Sequence, residues 1–119
     1  MDAVKLVILI GSSLRDLRGM PPEVRRDIGQ ALYAAQQGET DPAAKPLKGF
    51  GGTRVMQVVK RGRSGTYRAV YTAHFAAAIY VLQVFQKKSK RGIATPKQDI
   101  ELIRRRLAEA EREHQERRN

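Results

Sequence analysis

Residues 42–98 contain no aspartate or glutamate. Twelve of the chain's 23 lysines and arginines fall in that stretch: Lys45, Lys48, Arg54, Lys60, Arg61, Arg63, Arg68, Lys87, Lys88, Lys90, Arg91 and Lys97. The flanks hold the other eleven bases and all twelve acids, so the middle carries the whole positive excess behind a net charge of +11. A one-signed block of this kind attracts a polyanion, because each cation that neutralises a phosphate releases condensed counterions. A solvated basic surface is the plainer alternative, but solubility alone does not require acids to be missing over half a chain.

Cysteine is absent, which excludes disulfides, thiolate metal sites and a thiol nucleophile. The two histidines, His74 and His114, lack metal-ligand spacing, so neither a metal nor a cofactor is expected. The N-terminal apolar run, residues 6–10, is too short to span a membrane. Asp2 before it and Arg15 after it make a poor signal peptide, and a cytoplasmic protein is expected. At 119 residues the chain fits one domain spanning 1–119, with residues 111–119 a frayed tail.

Residues 4–10, rich in Val, Ile and Leu and closed by Gly11, predict a strand buried on both faces. Ser12 or Ser13 suits the start of a short helical turn through Leu14 and Leu17, and Pro21-Pro22 divides it from a second helix. There Val24, Ile28, Ala31, Leu32 and Ala35 fall on one face, and Gly38 is a stop. A polar loop with Pro42 and Pro46 follows. Three strands come next, at residues 55–60, 66–72 and 78–85, the first two joined by an Arg61-Gly62-Arg63-Ser64-Gly65 hairpin loop. Thr95-Pro96-Lys97-Gln98 has the form of a capping box before a last helix, whose apolar stripe is Ile100, Ile103, Leu107 and Ala110. Arg104, Arg105 and Arg106 are expected to face water. The order is α+β: a small, antiparallel-rich sheet, two N-terminal helices packed on it, and a C-terminal helix.

The basic block shows no Ser-His-Asp set, no paired carboxylates and no P-loop spacing. Its Lys, Arg, Tyr, Thr and His suit one reaction: cleavage of RNA by its own 2′-hydroxyl. The substrate supplies the nucleophile, the protein aligns it and stabilises charge on the phosphorane, and no metal is needed. Arg68, mid-strand beside Tyr67, is either a phosphate-facing group or an arginine on the solvated side of an edge strand. Lys87, Lys88, Lys90 and Arg91 follow a strand end and read either as site residues or as a basic linker. Among Tyr67, Tyr71 and Tyr80, one with an exposed ring could stack on a base.

Leu47-Lys48-Gly49, Tyr67-Arg68-Ala69-Val70-Tyr71, Val84-Phe85-Gln86-Lys87-Lys88 and Thr95-Pro96, in this order, resemble the HigB-like, phage-related branch of the RelE/ParE toxin superfamily. The resemblance runs from about Val4 to Ala110. It implies a RelE-like fold and the toxin of a type II toxin–antitoxin system: a metal-independent endoribonuclease that enters the ribosomal A site, contacts ribosomal RNA and cuts translated mRNA. It implies a HigA-like antitoxin with a helix-turn-helix domain as partner. By position, Arg68 matches the family's strand arginine, the transition-state stabiliser, and Lys87 and Lys88 match its basic pair on the scissile phosphate. Arg54, Lys60, Arg61, Lys90, Arg91 and Tyr71 are the expected RNA contacts. The resemblance leaves the general acid and base unassigned. A ParE-like inhibitor of DNA gyrase and an inactive RNA-binding module remain the alternatives.

Overall fold

The computed structural model describes residues 4–52, 54–87 and 95–118. Strand β1 (Leu6–Leu9) leads to helices α1 (Ser13–Arg18) and α2 (Pro22–Gln36), then to β2 (Ala44–Pro46), β3 (Val55–Gly62), β4 (Gly65–Thr72), β5 (Ala78–Gln86) and α3 (Lys97–Arg118). The sheet order is β1-β5-β4-β3-β2. β2, β3, β4 and β5 pair antiparallel, and β1 joins β5 in parallel. The expected meander is therefore present, with β4 at its centre.

The helices lie on opposite faces of this sheet. α2 forms where the sequence expects it, starting at the second of two prolines and ending before Gly38, whose φ of 80° only glycine adopts readily. Val24, Ile28, Ala31, Leu32 and Ala35 are all buried, against Met56, Val58, Tyr67, Ala69, Tyr71, Ile79 and Val81. Full burial of side chains such as Val24 and Ile28 stabilises the fold by about 1.5–3 kcal/mol each. α3 lays Ile100, Ile103, Leu107 and Ala110 on the other face, against Val55, Val70, Tyr80 and Leu82.

β1 is an edge strand, paired only with β5, and its first residue Leu6 is 58% exposed, but Val7 and Leu9 pack on one face and Ile8 and Ile10 on the other, as the two-sided apolar run anticipates. Several expectations are corrected. The loop after α2 contains a strand, β2, because Lys45 and Pro46 pair with Gln57 and Met56. Arg106 does not face water. Its guanidinium donates to the Leu82 carbonyl at 2.8 Å and to Ser12 Oγ at 3.1 Å. Leu82 is the extra residue of a β-bulge, since Val70 pairs with Gln83 but Tyr71 with Val81. The segment after Ala110 continues as helix to Arg118. It is held by Phe75, whose ring lies 4.2 Å from that of His114, by the Tyr80 hydroxyl 3.4 Å from His114 Nδ1, and by the Arg54–Glu111 ion pair. No helix among the described residues is long and apolar enough to cross a membrane.

Candidate functional site

α3 begins too late to cover the whole of its sheet face. Beyond its first turn, toward the β3–β4 hairpin, a cleft of about 610 Å³ opens over the strands. Gln57 and Val59 of β3 and Arg68 of β4 line it from the sheet. The 43–48 segment forms one wall, with apolar Pro46 and Leu47 beside the exposed lysines Lys45 and Lys48. Thr95 and Ile100 form the other.

Arg68 pairs in register with Val59 on one side and Phe85 on the other, and is only 4% exposed. This rules out an arginine on a solvated edge strand. Its Nη1 donates to Thr95 Oγ1 at 3.2 Å, and the Thr95 hydroxyl in turn donates to Gln57 Oε1 at 3.0 Å. Burial lowers the guanidinium's pKa from its ordinary value, yet arginine keeps its charge in proteins. Dehydrating such a cation costs several kcal/mol, and a charge held so, at one end of a cleft, interacts strongly with an anion that enters. Next to it on the same face, Gln83 Nε2 donates to Asp99 Oδ1 at 2.7 Å.

The capping box of the last helix does not form as expected. The Pro96 carbonyl accepts the first helical bonds, from Asp99 and Ile100, while the Thr95 hydroxyl turns to Arg68 and Gln57. Thr95 and Gln57 are thus site residues that sequence reasoning missed. The available signal was a polar residue inside each of two apolar strand runs, Gln57 in β3 and Gln83 in β5, both on the α3 face.

The anticipated cations divide between the two faces. Strand alternation puts Arg61 on the Arg68 face, and the Lys87 amide bond to the Thr66 carbonyl carries the pairing, and the same alternation, on to Lys87. Lys60 lies on the other face, its Nζ 3.3 Å from Asp41 Oδ1. Tyr71 is 1% exposed within the α2-side core, so its ring cannot stack on a base. Burial and the nearby Asp41 carboxylate push its hydroxyl up to about 12. Arg54 pairs with Glu111 at the far end of β3, about 17 Å along the strand from the residue facing Arg68. Lys88, Lys90 and Arg91 lie outside the described residues. Among those described, no group of His, Asp or Glu could hold a metal ion.

The family model described as "Phage derived protein Gp49-like (DUF891)" matches residues 15–108. The chain belongs to this phage-derived Gp49-like family. The match takes in the sheet from β2 to β5, with Arg68, Gln57 and Thr95. Among solved structures, the isolated Escherichia coli RelE toxin is similar at 19% identity and a TM-score of 0.56, over 72% of this chain and 88% of that one. A mutant of the same toxin in the free state gives 18% and 0.53, over 73% and 87%. The RelBE2 toxin–antitoxin complex of Mycobacterium tuberculosis gives 21% and 0.49, over 71% and 99%. No curated protein matches. This Gp49-like chain therefore has the RelE toxin fold, as its α+β reading anticipated.

Proposed function

We propose that this Gp49-like protein is a toxin of a type II toxin–antitoxin system that cuts translated mRNA, with a helix-turn-helix antitoxin of the HigA kind as its partner. The observation that carries this reading is the buried Arg68, fixed by Thr95 at the end of a cleft with lysines on its rim. In the reaction the 2′-oxygen attacks the adjacent phosphorus and the bond to the 5′-oxygen breaks. A 2′,3′-cyclic phosphate and a 5′-hydroxyl result; one proton leaves the 2′-oxygen and one is added to the 5′-oxygen. Arg68 stabilises the extra charge of the phosphorane, Lys87 and Lys88 hold the phosphate, and Arg61 guides the strand. A dehydrated, prearranged donor acts most strongly where charge develops. The ribosomal A site would supply the message in place, and the action would be cytoplasmic.

One observation favours a second reading, RNA binding without cleavage: among the described residues no histidine, tyrosine or carboxylate lines the cleft. Arg68→Met separates the two. Methionine fills a similar volume, and replacing a buried charge by a packed apolar group is often neutral or stabilising. Cleavage of mRNA on programmed ribosomes, read by primer extension, should fall by a factor corresponding to about 3–4 kcal/mol, with thermal unfolding unchanged or raised. Undiminished cutting removes Arg68 from the mechanism. A wild-type protein that binds RNA and never cuts it supports the second reading.

A further inference from the structure

The cleft beside Arg68 has a polarity set by a short chain of donors and acceptors. Arginine can only donate, so Thr95 Oγ1 must accept from Arg68 Nη1. The Thr95 hydroxyl donates to its other neighbour, Gln57 Oε1, at 3.0 Å, so the Gln57 amide holds Oε1 toward Thr95. Gln57 Nε2 is turned the other way. Among the described residues it has no hydrogen-bond partner, although Gln57 lines the cleft. A half-buried amide of fixed orientation thus offers two N–H donors between apolar walls at Pro46, Leu47 and Ile100.

We propose that Gln57 is the specificity-determining residue of this cleft, reading a nucleobase that lies between those walls while Arg68 and the rim lysines Lys45 and Lys48 meet its phosphate. The inference rests on the RNA reading of the cleft and gives it a base preference. The volume suits one nucleotide, since small-ligand sites run from about 300 to 1,000 Å³. Guanine and uracil present a keto oxygen where adenine and cytosine present an amino group. An N–H₂ donor pairs with the first kind and is opposed by the second, so keto bases are preferred.

The test uses the full chain and the four ribonucleoside 3′-monophosphates, titrated by calorimetry, with mRNA cleavage on ribosomes measured in parallel. The guanosine and uridine compounds should bind about tenfold more tightly than the other two. Gln57→Leu should level the four affinities, and Gln57→Glu, which replaces the donor by an acceptor, should invert the order. Equal affinities in the wild type, no binding of any of the four, or a keto preference that survives Gln57→Leu overturns the proposal. Message that is cut while the preference ignores Gln57 sinks base reading alone. A Gln57-dependent preference without any cutting sinks the nuclease reading and leaves base reading standing.

Discussion

The two faces of the sheet use the same strands to opposite ends. On the α2 face the sheet's apolar positions are closed over: Met56, Val58, Ala69, Tyr71 and Val81 are buried beneath a helix whose apolar stripe matches them. On the α3 face the same strands carry Val55, Val70, Tyr80 and Leu82 at one end and Gln57, Val59 and Arg68 at the other. The helix covers the first set and stops short of the second. The contrast extends to the lysines. Lys60 projects from β3 to the closed face and is matched with Asp41, whereas Lys45 and Lys48 border the open one. Charge in the basic block is thus not interchangeable: alternation along β3 turns Lys60 to the closed face and Arg61 to the open one.

The sharpest way to break this comparison is to damage the closed face. Ile28→Ala removes a fully buried side chain under α2 and should destabilise the protein by about 2–4 kcal/mol in urea unfolding. RNA affinity of the protein that remains folded should be unchanged. A matching loss of affinity would mean that the two faces are not separate.

A smaller effect is expected from the link between helix and sheet. Thr95→Val keeps the shape but removes the hydroxyl that joins Arg68 to Gln57. Cleavage should fall about tenfold, near the lower end of the roughly 1.5–3 kcal/mol that one hydrogen bond to a charged group contributes. Thr95→Ser should restore it. A valine variant that cuts at the wild-type rate would show that Arg68 needs no such anchor.

The smallest effect distinguishes the lysines. Lys45→Ala should lower the slope of log RNA affinity against log salt by about 1 and weaken binding to all sequences alike. Lys60→Ala should leave that slope unchanged and reduce stability instead, because the half-buried Asp41 then keeps only the Ala43 amide as partner among the described residues. Equal slopes in the two variants would contradict the division of the faces.

Some of this was legible in advance, and the particular residues show why. The α2 stripe, the 55–85 meander and the α3 stripe are periodic patterns, and periodicity is a local property of the chain. The resemblance also directed attention to Arg68. Three features escaped. β2 is too short to show a pattern of its own, and it exists only through pairing with β3. The bulge at Leu82 shifts the alternation of β5 without any sequence mark, so that Ile79, Val81 and Val84 share one face. Thr95 has the local signature of a helix cap, and that signature lost to partners 27 and 38 residues away in the chain.

By itself the amino-acid sequence determined the confinement of positive charge to the middle of this protein, the strands and helices whose apolar spacing repeats, and the central position of Arg68 in a strand. Tertiary structure alone decided which cations share a face, that Tyr71 is sealed in a core, and that Thr95 and Gln57 meet Arg68. Periodicity acts between near neighbours along the chain. A cleft is made by residues from β2, β3, β4 and the approach to α3, and their meeting depends on strand register and on where a helix begins.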